Sequence, residues 1–185
     1  MKNVNCRRII LITGPKHSGK SLAARALEKL TGGAAFDLDD CIEKETGRTP
    51  RELYTESEEL FKKAEEKALV SLLQLKEGDD VRIIAAGGGL VDNSKALARL
   101  SAPLMQKAEV FIVFLELSAE TAWQRIVHSD LGLPPFVNTE NPKETHKALH
   151  ERRADVYKAL AHLTIAAENK SPEEIAGEIA RFLQL

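Results

Sequence analysis

Three things are scarce in this sequence: cysteine, long apolar runs and net charge. Cys6 and Cys41 are the only cysteines among 185 residues. They could close one bridge at most, so no disulfide framework holds the fold, and free thiols in a cytoplasmic protein are expected. Although 43% of the chain is hydrophobic, no run approaches the roughly 20 apolar residues that cross a bilayer, so no membrane association is expected. Lys2, Arg7 and Arg8 precede only the short run 9–12 before Gly14 and Lys16, and no secretory leader is expected either. The formal charge is −2. That gives no whole-molecule attraction for nucleic acid, and any anion site has to be built locally.

What is present is a regular alternation of strand and helix patterns. The length suits one α/β domain over residues 1–185, with no internal repeat or linker. Strands are predicted at 8–13, 34–37, 81–86, 110–115 and 162–166. A helix over 18–30 should bury Leu22, Ala23, Leu27 and Leu30, and Gly32-Gly33 ends it. Thr55-x-x-Glu58 reads as a capping box opening a long helix, with Leu60, Phe61, Ala64, Ala68, Leu69, Leu72 and Leu73 inward. Ser118 should cap a helix to about residue 128, Pro142 should start one to about residue 160, and Ser171-Pro172-Glu173-Glu174 should cap the last. Residues 129–141 read as a loop of lid-like length. Strands separated by such helices imply parallel βαβ units in a three-layer α/β/α fold.

The most specific local signal is Gly14-Pro15-Lys16-His17-Ser18-Gly19-Lys20-Ser21, a full G-x-x-x-x-G-K-[ST] pattern between a strand and a helix. Its glycines let several backbone N–H groups point at one anion, and the following helix adds its positive end. Lys20 should reach the β- and γ-phosphates of a nucleotide and Ser21 should hold Mg²⁺. Lys16 and His17 read either as phosphate contacts or as solvated side chains on an exposed turn. The pattern by itself does not separate kinases from hydrolases, transporters or switches.

Asp37-Leu38-Asp39-Asp40 follows the second strand, and Asp37 and Asp39 share a direction if that strand continues. At the carboxyl end of a strand beside the phosphate loop, one carboxylate can position Mg²⁺ and the other can take a proton from a hydroxyl. The plainer reading is a helix cap for residues 40–45. Gly87-Gly88-Gly89 follows the third strand, where a backbone can approach a ligand closely or simply turn.

Taken in order, these residues resemble the shikimate kinase family over nearly the whole chain. The likeness rests on residues 14–21, Phe36-Asp37-Leu38-Asp39, Phe61-Lys62-Lys63-Ala64-Glu65, Gly87-Gly88-Gly89, Arg125 and Arg153-Ala154-Asp155-Val156-Tyr157. It implies a nucleoside monophosphate kinase-like P-loop fold with a five-stranded parallel sheet, a substrate region at about 38–65 and a lid at about 126–147. It implies transfer of the γ-phosphoryl of ATP to a hydroxyl of shikimate, with Mg²⁺; a monomer whose partner is a small molecule is expected. By the same likeness Gly14, Lys16, His17, Ser18, Gly19, Lys20, Ser21, Leu22 and Arg125 bind the nucleotide, and Ser21 and Asp37 serve the metal. Asp39, Lys62, Gly87, Gly88, Gly89 and Arg153 bind the acceptor, with Lys20, Asp39 and Arg153 catalytic. Glu65 would orient basic side chains near the substrate.

Two departures stand out. Lys62 replaces an arginine of the family motif, keeping the charge but losing the planar two-pronged grip on a carboxylate. The family's R-P-L-L-like lid segment, whose arginine closes over the phosphates, is matched here by Leu133-Pro134-Pro135-Phe136, and no Lys or Arg lies between Arg125 and Lys143. Lys143 and His128 flank it as replacements, unless the lid aligns differently. These departures leave two other readings: a kinase of another hydroxylated metabolite such as a sugar acid, or a nucleotide-binding protein with weak catalysis. Trp123 reads as packing or as an adenine neighbour; His146, His150 and His162 read as structural.

Overall fold

A computed structural model of the chain describes residues 7–74, 80–100, 108–130 and 132–185; Cys6 lies outside them. Its centre is a five-stranded, all-parallel sheet of β1 (Arg7–Thr13), β2 (Ala34–Asp37), β3 (Val81–Ala85), β4 (Ala108–Glu116) and β5 (Leu163–Ala166). The spatial order is β2-β3-β1-β4-β5. Eight α-helices among the described residues connect and cover it: α1 (Lys20–Thr31), α2 (Leu38–Thr46), α3 (Pro50–Glu56), α4 (Glu58–Leu73), α5 (Ser94–Leu100), α6 (Ala119–Val127), α7 (Pro142–Leu160) and α8 (Pro172–Leu183). The predicted five strands and three layers are all present.

β1 shows why the sheet is buried on both faces. Its apolar run does not alternate with polar residues, as expected for a strand covered on two sides. Ile10 and Ile12 enter one core with Ala23, Leu27, Ile175 and Ile179 of α1 and α8. Ile9 and Leu11 point the other way, into a core with Leu38, Ile42, Leu69 and Ala96 of α2, α4 and α5. β1 also pairs with β3 on one side and β4 on the other. From β1 the chain goes out to the edge strand β2, returns inward to β3, and then crosses β1 to β4 and β5. The crevice beyond the carboxyl end of β1, where the order reverses, is where such sheets bind ligands.

Several local expectations need correction. Leu22 and Leu30 are 57% and 58% exposed, and the buried stripe of α1 is Ala23, Ala24 and Leu27. Thr55-x-x-Glu58 is not a capping box. The box is Thr49 with Glu52, which starts α3 behind Pro50. The long helix α4 begins at Glu58 with Ser57 as its cap, accepting from Leu60 N–H. Two closely spaced starts had merged into one in the sequence pattern, because α3 is only seven residues long. The expected α4 stripe holds: Ala68, Leu69, Leu72 and Leu73 are buried, Leu60, Phe61 and Ala64 pack half-buried against the same core, and Glu65 is buried beside them. At the other end Ser171 and Glu174 form the expected box.

Candidate active site

The loop between β1 and α1 wraps tightly at the crevice. Gly14 takes φ +151°, and a Cβ there would lie 2.6 Å from Leu115 O, so the position admits only glycine. His17 sits at φ +60°, a left-handed conformation that a side chain adopts at a cost. Lys20 folds back over the loop, its Nζ donating to Pro15 O at 2.7 Å. Burial pushes this ammonium down to about 8; the carboxylates of Asp39 and Asp37 oppose the shift and Lys16 adds to it. Arg125 donates to His17 O at 2.8 Å and so braces the loop from α6. Leu22 points its side chain to solvent; only its backbone stands at the start of α1.

Asp37 ends β2 and does two jobs. Its Oδ1 accepts from Asp39 N–H at 3.0 Å, capping α2. Its Oδ2 accepts from Ser21 Oγ at 2.5 Å. The strand therefore does not continue to Asp39, which lies in the first turn of α2. One oxygen of Asp37 thus caps the helix, and the other faces the phosphate-loop serine. Asp39 is reached by solvent yet ringed by protein; that crowding, with the Asp37 carboxylate, raises its proton affinity, and Lys20 and Lys16 oppose the rise. Ser21 and Asp37 bring together a hydroxyl and a carboxylate, hard oxygens of the kind Mg²⁺ takes when phosphates complete its shell. Among the described residues no cluster of three or more His, Cys, Asp or Glu side chains would hold a metal by itself.

The three glycines after β3 have three different settings. A Cβ on Gly88 would lie 2.8 Å from Gly14 O, so this turn rests directly on the phosphate loop. Gly87 lies by Asp39 Oδ1, and its carbonyl accepts from Tyr157 Oη at 3.2 Å. Gly89 lies against the Arg153 guanidinium.

Beyond the glycines the wall is ionic. Arg153 Nη2 pairs with Asp92 Oδ2 at 2.6 Å, and Arg152 Nη2 pairs with Asp92 Oδ1 at 2.7 Å. Arg153 also lies over the Phe136 ring, 5.2 Å from its centroid. Lys62 Nζ pairs with Glu58 at 2.6 Å. Glu65 is 2% exposed and accepts from Asn93 Nδ2 at 2.9 Å. Burial lifts its carboxyl to about 7, against the pull of that hydrogen bond. Glu65 was expected to orient the basic side chains; its contact is Asn93, while Lys62 and Arg153 turn to Glu58 and Asp92.

These groups share one cavity of about 400 Å³, lined among others by Lys16, Lys20, Ser21, Asp39, Arg51, Lys62, the three glycines and Arg153. Asp92, Arg51 and Tyr54 also line this cavity, Asn93 stands behind it on Glu65, and none of the four carried a sequence signal. The residues expected to be structural behave so. His146 packs between Trp123 and His150, His150 contacts Leu117 O, and His162 accepts from Ile112 N–H. Cys41 is a free thiol. Among the described residues no helix is long and apolar enough to cross a membrane.

A central parallel strand running into a phosphate loop, with a carboxylate and an arginine on the same cavity, defines a P-loop phosphotransferase. The family follows from similarity to known proteins. The family model for shikimate kinase matches residues 16–184. A shikimate kinase of Vibrio parahaemolyticus is 30% identical over 179 residues, covering 96% of this chain and 97% of that protein. Shikimate kinase 1 of Yersinia pestis is 31% identical with the same coverage. Among solved structures, the Acinetobacter baumannii shikimate kinase in complex with shikimate superposes with a TM-score of 0.80 at 27% identity, covering 97% of this chain and 93% of that one. The chain belongs to the shikimate kinase family.

Proposed function

We propose that the protein transfers the γ-phosphoryl group of ATP to a ring hydroxyl of shikimate, giving shikimate 3-phosphate and ADP. The observation that carries this reading is one cavity holding Lys20 and Ser21 at one end, Arg153 and Lys62 at the other, and Asp39 among them. A nucleotide triphosphate fits the first group, a carboxylate the second, and a reacting hydroxyl the acid between.

In this reading the loop N–H groups and Lys20 bind the β- and γ-phosphates, the lysine exchanging its Pro15 carbonyl for phosphate oxygens. Lys16, His17, Leu22 N–H and Arg125 frame the rest of the nucleotide. Asp39 orients the acceptor hydroxyl and takes its proton as the new O–P bond forms and the bond to the β-phosphate oxygen breaks; its raised proton affinity suits that task. Lys20 offsets the charge that collects on the leaving ADP. Arg153 and Lys62 hold the substrate carboxylate, and the glycine turn lets the ring approach. Ser21 and Asp37 would hold Mg²⁺, whose chemistry would be to neutralise phosphate charge.

We read residues 1–185 as one kinase domain, 38–65 as the acceptor region and 126–147 as a lid. The lid reading is supported by the contact of Phe136 with Tyr54 of α3, ring centroids 6.3 Å apart. We also read the protein as a cytoplasmic monomer; the free Cys41 thiol suits the cytoplasm.

The test is ADP release from purified protein with ATP and Mg²⁺, offered shikimate and then a panel of sugar acids and nucleosides. Saturable turnover with shikimate supports the reading. Turnover with another acceptor and none with shikimate overturns it, as does ATP binding without turnover on any acceptor.

A further inference from the structure

The segment that stands at the family's lid arginine, Leu133 to Phe136, contains no cation. The flanking candidates are engaged elsewhere. Lys143 Nζ pairs with Glu120 at 2.8 Å on the outer side of α6, and His128 Nδ1 contacts Gln124 O at 2.7 Å. Neither lines the cavity that holds the phosphate loop.

A cation does reach this segment, from another element. The Thr49–Glu52 box and Pro50 fix the start of α3 and set Arg51 in its first turn. Arg51 Nη2 donates to Leu133 O at 2.7 Å. The same residue lines the cavity with Lys16, Lys20 and Ser21. Its charge is felt there: burial first, and Arg51 after it, push the Lys16 ammonium down, against the pull of Asp39. Tyr54, three residues on, packs its ring against Phe136, giving α3 a second hold on the segment.

We propose that Arg51 is the closing cation of this site, supplying from α3 the positive charge that the lid lacks and fastening the lid through the Leu133 carbonyl. The inference rests on the γ-phosphoryl transfer proposed above. Arginine keeps its charge at every working pH, and a cation placed where charge spreads over the transferring phosphoryl group stabilises that state more than the ground state. Here the cation arrives with the acceptor region rather than with the lid.

The experiment compares wild type, Arg51→Ala, Arg51→Lys and the double variant Arg51→Ala/Leu133→Arg. Shikimate-dependent kcat and KM are measured alongside equilibrium binding of ADP and of the non-hydrolysable analogue adenylyl imidodiphosphate. Arg51→Ala should lower kcat by about 10²-fold and weaken the triphosphate analogue by about tenfold while ADP binding holds. Arg51→Lys should fall between, and Leu133→Arg should restore about tenfold of the lost kcat. A kcat within twofold of wild type in Arg51→Ala, equal loss of ADP and analogue binding, or no rescue in the double variant would each overturn the proposal. If wild type fails on shikimate, the acceptor assignment falls, and the difference between analogue and ADP binding still decides the role of Arg51.

Discussion

The two ends of the cavity are built from different materials. The nucleotide end is loop backbone with two lysines, Lys16 and Lys20, all within residues 14–21, set between a strand with fully buried isoleucines and a helix. The acceptor end is long charged side chains from α3, α4 and α7, with Asp92 from the turn after β3, held in pairs: Arg153 and Arg152 on Asp92, Lys62 on Glu58. A triphosphate is the same for every kinase, so a rigid backbone cradle serves it. An acceptor differs between kinases, and side-chain pairs can change one member at a time. The difference teaches where this protein is free to depart from its relatives, and Lys62 and Arg51 both fall at that end.

The comparison breaks most completely at Lys20. Lys20→Ala should lower kcat by about 10³-fold in an ADP-release assay; a remaining rate near wild type would mean that the loop is not the nucleotide cradle. Asp39→Asn comes next, with a loss of about 10²-fold in kcat and little change in ATP affinity. Its pH profile is the sharper readout. Asp39 must be ionised to take a proton, so the wild-type rate should fall as pH drops through its raised pKa. The asparagine variant should lack that limb.

Glu65→Gln tests the buried member of the acceptor end by stability. The Glu65 carboxyl titrates near 7 in the fold against a usual 4.5. The folded state then holds its proton more tightly than the unfolded chain. Stability from this group is full below about 4.5, declines as pH rises toward 7 and is flat above, a loss on the order of 3 kcal/mol at most. Thermal melts at pH 5 and pH 8 should show that decline in wild type and a smaller one in Glu65→Gln. The smallest effect is expected at Lys62→Arg, which restores a planar fork and should lower the KM for shikimate by roughly fivefold, under 1 kcal/mol. A raised KM would say that Lys62, with its Glu58 partner, is fitted to a different acceptor.

What the sequence disclosed follows the same divide. The phosphate loop was legible because all its parts are consecutive and flanked by a strand and a helix. The strands were legible because parallel strands buried on two faces leave unbroken apolar runs. Asp37 was legible as a candidate acid or as part of a helix cap, but not as a cap and a Ser21 partner at once, since that depends on where β2 stops. Asp92 and Asn93 were silent because their partners lie 61 and 28 residues away in the chain, and no local pattern marks such pairs. Arg51 was hidden by the misplaced capping box: with α3 unread, nothing suggested that its first turn reaches residue 133.

Gly88 carries a last consequence. Its Cα stands against Gly14 O with no room for a methyl group between them. The floor on which an acceptor would rest and the cradle for a nucleotide are therefore two backbones in direct touch. That contact has no adjustable side chain in it, and works like a fixed gauge block. Since a misplacement of about 1 Å can cost about 10²-fold in rate, substitutions can accumulate around the acceptor, at Lys62 or at the lid, while the jump length of the phosphoryl group stays as it was.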